Sequence, residues 1–284
     1  MTRLWCNGLW LDALDFSASP TDRGLMLGLG LFETILAVDG RPIHAERHVE
    51  RLRASCLRLG WKFGFSYLPE TMAELVQMNG LASGRARLRL AITGGSGLIH
   101  DLALGADHIV WITAVPAADA PLTATVSLSP WLRNERSSLA GLKCASYAEN
   151  LVALQDAKRR GFEETVFLNT AGQVCEGATS NIFLVRNGEI ATPSLRSGCL
   201  PGITRSVIIE LAAGLGIPWH ERDLTLDDLT AADELFLTSS IRGLTGVSRF
   251  EDRILPSGPV TRMLRDAWTA ATSRKSPDPP NVLH

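Results

Sequence analysis

The run Pro116-Ala-Ala-Asp-Ala-Pro121 constrains this chain more than any other stretch. Two prolines around small residues continue neither a helix nor a central strand, so the segment reads as a linker. At 284 residues the chain suits one large or two moderate domains. The break divides it into 1–115, a linker at 116–122, and 123–272, followed by a Pro-rich tail at 273–284 whose composition predicts disorder.

Before the linker, Leu4 to Leu11 reads as a hairpin turning at Asn7-Gly8. Gly28-Leu29-Gly30 then leads into an apolar strand, Leu31 to Val38. A dinucleotide-binding fingerprint would join a strand to a helix, so a Rossmann unit is excluded here. From Ile43 the period becomes helical, with His48, Leu52, Ser55, Leu57 and Leu59 in one register and His44, Arg47, Arg51 and Arg58 forming a polar set. Arg51 is a candidate anion ligand, because a guanidinium forks its donors onto phosphate. A second helix is expected from Glu70 to Leu81. A half-buried strand follows at Ala86 to Ile92 with Arg87 and Arg89 on one face, then a mobile loop at Thr93 to Gly97 and a strand from His108 to Val115.

Beyond the linker, Ala124 to Leu128 reads as a strand and Ser146 to Arg160 as a helix with Leu151, Leu154 and Ala157 on its apolar stripe. Just before that helix stands Lys143, set among Gly141, Cys144, Ala145 and Ser146, where little bulk crowds its amine and a flat cofactor has room. Strands are expected at Thr165 to Asn169 and Asn181 to Arg186, with Glu176 in the connection between them. Leu200-Pro201-Gly202-Ile203-Thr204-Arg205 opens a helix from Ser206 to Leu215. Such a helix start offers free N–H groups to an anion, although Thr204 also reads as an ordinary cap. The strand Glu234 to Leu237 runs into the hydroxyl cluster Thr238-Ser239-Ser240, and a last helix spans about Val260 to Ala271. Taken singly, each of these residues has a plain structural reading: a solvated lysine, a surface arginine, an exposed loop acid, a capped helix.

Composition narrows the partners. A net charge of −2 leaves no footprint for nucleic acid or an anionic membrane, and no apolar run reaches a membrane span. The five scattered cysteines lack any C-x-x-C spacing, so reduced thiols in the cytoplasm are expected and no metal set is assigned.

Together a lysine, an arginine, a glutamate, a helix N-terminus and a hydroxyl cluster are the equipment that pyridoxal 5′-phosphate (PLP) requires. In the order His48-x-x-Arg51-Leu52, Lys143, Glu176-(x)3-Ser180-Asn181-Ile182-Phe183, Gly202-Ile203-Thr204-Arg205, the chain resembles the fold-type IV PLP enzymes from about Trp5 to Trp268. That family comprises branched-chain aminotransferases, D-amino-acid aminotransferases and aminodeoxychorismate lyases. Periodicity alone gives a two-domain α/β or α+β protein. The resemblance adds a smaller N-terminal α/β domain, a larger C-terminal domain on a β-barrel-like core, and a homodimer. It implies that Lys143 forms the Schiff base and moves a proton between Cα and C4′, that Glu176 faces the pyridine nitrogen, and that Leu200 packs on the ring. Arg51, the amides of Ile203 and Thr204 and the hydroxyls of Ser239 and Ser240 would hold the phosphate, with Tyr147 near the cofactor O3′.

For the substrate, Phe32 stands where D-amino-acid aminotransferases carry a tyrosine, and their arginine–histidine carboxylate trap is absent from Thr93 to Gly97. The glycine-threonine-alanine-alanine turn of the branched-chain enzymes is replaced by Thr238-Ser239-Ser240. Arg242 is the candidate carboxylate anchor, with Arg89 and Arg133 behind it. The expected activity is amino transfer between an amino acid or related amine and a 2-oxo acid. The alternatives are aminodeoxychorismate lyase, which releases pyruvate and 4-aminobenzoate, and a non-catalytic PLP-binding protein.

Overall fold

The computed structural model describes residues 2–62, 64–256 and 258–273. The chain before the linker supplies β1 (Arg3–Cys6), β2 (Leu9–Asp12), α1 (Arg23–Leu27), β3 (Gly30–Val38), β4 (Arg41–Pro42), α2 (Ala45–Arg58), α3 (Leu68–Met78), β5 (Arg85–Thr93) and β6 (Val110–Pro116). These strands form one antiparallel six-stranded sheet in the order β2-β1-β6-β5-β3-β4. Positive φ at Asn7 (45°) and Gly8 (91°) makes the first hairpin turn a mirror-image type that matches strand twist. Leu52, Cys56, Met72, Leu75 and Val76 of α2 and α3 meet Leu31, Ile35, Leu88, Leu90 and Ile112 of the sheet in one core.

Residues 117–122 carry no regular structure. After them come β7 (Thr123–Arg133), α4 (Ala148–Arg159), β8 (Glu164–Asn169), β9 (Val174–Gly177), β10 (Asn181–Arg186), β11 (Glu189–Pro193), α5 (Ile203–Gly214), β12 (Trp219–Arg222), α6 (Leu226–Thr230), β13 (Glu234–Ser239), β14 (Gly243–Phe250), β15 (Arg253–Ile254) and α7 (Pro259–Ser273). Their sheet is mixed, in the order β12-β11-β10-β13-β14-β7-β8-β9, with β15 on β14. It curls, so that the β9 edge returns toward β10 and Val174 N–H donates to the Leu224 carbonyl at 2.8 Å. Ile182, Leu184, Leu235 and Leu237 fill the inside of the curl, while the alternate residues Phe183, Val185 and Phe236 face α5 and α7. Strands covered on both faces are apolar throughout, which is why these segments read as continuous hydrophobic runs.

Several expectations need correction. The loop at Thr93 to Gly97 is anchored: the guanidinium of Arg23, 1% exposed, donates to the carbonyls of Gly94 (2.6 Å), Gly95 (2.9 Å), Asp101 (2.5 Å) and Ala103 (2.6 Å). The glycines hid this, since the cation that fixes them lies some seventy residues earlier. On α4 the buried face is Asn150, Ala153 and Ala157, and Leu151 is exposed, as is Leu57 on α2. Helix α3 starts earlier than expected, with Pro69 in its first turn, and stops before Gly80, whose φ is 69°. Helix α5 begins at Ile203, with Gly202 and not Thr204 as its cap. Ser273 closes α7, and the rest of the tail expected at 273–284 lies outside the described residues.

Candidate active site

A cavity of about 880 Å³, within the range of small-molecule sites, opens between the two sheets. Phe32, Arg51, Lys143, Tyr147, Glu176 and Leu200 line it, and so do Ile203, Thr204, Ser239, Ser240 and Arg242. Every site residue singled out from the sequence thus reaches one cavity, although they come from six separate stretches of chain.

Lys143 is held through its backbone. Phe32 N–H donates to the Lys143 carbonyl at 2.9 Å and Ala145 N–H to the Gly30 carbonyl at 2.8 Å, so a single antiparallel bridge between Cys144 and Leu31 holds the lysine segment against β3. Its Nζ lies 4.5 Å from the Phe32 ring centroid and 5.6 Å from that of Tyr147. Burial, with the positive charge of Arg51 adding to it, lowers the amine to a pKa of about 8. Tyr147 meets Phe32 edge-on at 5.4 Å and donates its hydroxyl to the Ala178 carbonyl at 2.9 Å, and burial pushes its phenol up to about 12.

Glu176 sits on the short strand β9 and not in an irregular connection. Oε2 accepts the Leu200 N–H at 2.9 Å, and Oε1 stands 3.7 Å from Nε of Arg133. Burial raises the carboxyl and the Arg133 charge opposes that rise. Arg133 is itself oriented by Glu149 at 2.6 Å and by the Phe167 ring at 4.4 Å.

Across the cavity, the first turn of α5 has no side-chain cap, leaving the amides of Ile203 and Thr204 open to a ligand. A Cβ at Gly202 would run into Asn181 Oδ1, whose amide group donates to the Leu200 carbonyl at 2.9 Å. Arg205 of the same motif points away, to Glu221 at 3.1 Å. Thr238 Oγ1 is buried at the cavity wall without a hydrogen-bond partner.

The sequence reading missed Glu33. Only 1% exposed on β3, it accepts from Arg51 Nε (2.8 Å) and Nη2 (2.5 Å) and from His48 Nδ1 (2.7 Å). Arg51 Nη1 donates to the Pro201 carbonyl at 2.8 Å, and His48 Nε2 lies 3.4 Å from Ser240 Oγ. Burial alone would raise Glu33, but the Arg51 charge and the two hydrogen-bond donors hold it at about 2. A detectable signal existed: an acid at an inward position of an apolar strand, with His48 and Arg51 three apart on the next helix.

On the mouth side, the Arg89 guanidinium lies 4.0 Å above Phe32, with Arg87 and Arg242 beside it on the wall. Among the described residues no carboxylate forms an ion pair with any of the three.

A lysine amine of lowered basicity, a half-buried carboxylate and an uncapped helix start around one cleft are the equipment of an enzyme of amine chemistry. Comparison with known proteins makes the class specific: residues 30–250 match the amino-transferase class IV family. The chain is 32% identical over 238 residues to a probable branched-chain-amino-acid aminotransferase of Synechocystis sp., covering 82% of this chain and 77% of that one. It is 28% identical over 254 residues to an aminodeoxychorismate lyase of Bacillus subtilis, covering 88% and 87%. It also superposes on the PLP-form of a branched-chain amino acid aminotransferase from Thermobaculum terrenum with a TM-score of 0.85 at 26% identity, covering 95% and 94%. The chain belongs to the class IV aminotransferases.

Proposed function

We propose that this aminotransferase uses PLP to move an amino group between an amino acid and a 2-oxo acid, with Lys143 as the proton-carrying amine. The observation that carries the reading is the placement of Lys143, whose Nζ lies against the Phe32 and Tyr147 rings in the same cavity as the Glu176 carboxylate. The residues present fit the cofactor. The open amides of Ile203 and Thr204, the unpartnered Thr238 hydroxyl, Ser239, Ser240 and Arg51 suit a phosphate, and Glu176 Oε1, bonded to no N–H, suits the pyridine nitrogen. When bound, PLP supplies a carbonyl that takes up the amino group and a ring that accepts electrons from the Cα–H bond.

The chain's own residues do the rest. Near neutral pH part of the Lys143 population is unprotonated, so Nζ can take a proton from the substrate Cα and return it to the neighbouring position. Phe32 and Tyr147 wall this amine from two sides and limit water around it. Glu176 would accept a hydrogen bond from the protonated ring nitrogen, with the Arg133 charge favouring its carboxylate form against the rise that burial imposes. Leu200 presents its side chain to the same space. Arg242 and Arg89 offer unpaired guanidinium groups to substrate carboxylates.

A lyase reading has the similarity to the B. subtilis enzyme in its favour and uses the same lysine. A half-reaction with single L- and D-amino acids, amines and aminodeoxychorismate separates the two. Keto-acid release with pyridoxamine phosphate left on the protein supports transamination, and 4-aminobenzoate with PLP unchanged supports the lyase. Two further parts of the reading rest on the surface and the thiols. Leu25, Met26 and Leu27, with Leu98, Ile99 and Leu102, are exposed apolar residues that a second copy would cover, which light scattering tests. The cysteines are unpaired, which suits the cytoplasm.

A further inference from the structure

We propose that His48 is a positioning residue of the anion subsite that takes up a proton from solvent when an anion binds before Ser240 and the start of α5. The inference rests on reading this end of the cavity as the phosphate site.

The argument begins with hydrogen-bond direction. Glu33 is ionised and accepts only, so the 2.7 Å contact requires the hydrogen to sit on His48 Nδ1. In the neutral ring Nε2 is then a lone pair, and the group facing it is the Ser240 hydroxyl at 3.4 Å. Ser240 turns its hydrogen toward His48 and shows oxygen lone pairs to the cavity. That arrangement repels an anion. A proton on Nε2 reverses the contact: the ring donates to Ser240 Oγ, and the serine hydrogen is released toward the ligand.

Charge favours the same exchange. The groups facing His48 are Glu33 on β3, Arg51 on its own helix, Lys143 beside β3 and Ser240 after β13. Glu33 already neutralises Arg51 through two hydrogen bonds, so the Glu33–His48–Arg51 cluster carries no net charge while His48 is neutral. His48 is 2% exposed, and burial lowers its basicity against the pull of Glu33. A dianion placed in this setting favours the imidazolium. The effect is reciprocal, because whatever the anion adds to His48 proton affinity, the proton adds to anion affinity. The unpartnered Thr238 hydroxyl beside the open amides of α5 marks where the anion sits.

Sulfate is the appropriate probe, since it stays a dianion across the pH range. The full chain carrying Lys143→Ala, freed of cofactor, removes the titration of the amine. In that background sulfate should bind at least about tenfold more tightly at pH 6 than at pH 8, within the usual span of coupled sites. Adding His48→Gln should reduce the difference to about threefold or less, and Ser240→Ala, which leaves His48 in place, should do the same. Histidine NMR should show the His48 pKa rising on addition of sulfate, a response that a merely structural histidine would not give. Persistence of the full pH dependence in either variant, or an unmoved His48 pKa, overturns the inference while leaving the phosphate site standing. Absence of sulfate binding at every pH overturns both.

Discussion

Glu33 grips Arg51 with both carboxylate oxygens, at 2.8 and 2.5 Å, where it is 1% exposed and the arginine side chain 10%. The pair joins β3 to α2, and Arg51 extends it to the Pro201 carbonyl beside α5.

This pair makes stability depend on acid. The folded carboxyl titrates at about 2 and an ordinary glutamate at 4.5, so its stabilisation is complete above pH 4.5 and is lost as pH falls toward 2. The contribution is on the order of 3 kcal/mol. Urea denaturation between pH 6 and pH 3 should show the loss, and Glu33→Gln should flatten that part of the profile. Equal pH slopes in the two proteins would rule the pair out as its source.

Lys143→Ala should fold as the parent does and lose at least about a thousandfold in turnover, the usual span of a positioned acid–base group. Borohydride should no longer link the cofactor covalently to the protein. In the parent, trapping at limiting PLP should rise with pH through about 8, where the amine loses its proton. A linkage formed at another lysine in the variant would remove Lys143 from its role.

Gly202 has φ −67°, so an alanine there meets no backbone strain, and its main obstacle is Asn181 Oδ1, with Arg205 Cβ next at 3.2 Å. Gly202→Ala should cost about 1–3 kcal/mol through displacement of Asn181 and its bond to Leu200. PLP should also dissociate faster, which absorbance after gel filtration would reveal. An unchanged melting temperature with full cofactor retention would show that the loop absorbs the methyl group freely.

Arg89→Leu and Arg242→Leu should each lower kcat/KM by about 10- to 100-fold, the worth of one hydrogen bond to a charged partner. Most of the change should lie in KM, with PLP retention unaltered. Steady-state kinetics with an acidic and a neutral amino acid would show which arginine takes which carboxylate.

Residues at visible breaks in pattern were legible from the chain alone. Lys143 stands among small residues, Gly202 opens a helix, and Glu176 is followed by the small and polar run Gly177 to Ser180, so each interrupts its surroundings. Their convergence on one cavity was legible only through the family resemblance, because no periodicity relates residue 51 to residue 240. Glu33 escaped notice because it continues an apolar strand, and its partners lie on another element. The Arg23 contacts escaped for the same reason. A glycine-rich loop advertises freedom, and the distant cation that removes it leaves no mark on the loop.

The short pairing between the Lys143 segment and β3 has a consequence for any attempt to divide the protein. A cut within 117–122 would place the lysine on one fragment and the Gly30 carbonyl and Phe32 amide that align its backbone on the other. Neither fragment would own the site. Reassembly would be registered at the lysine itself, so recovered activity would report the correct joining of the two pieces.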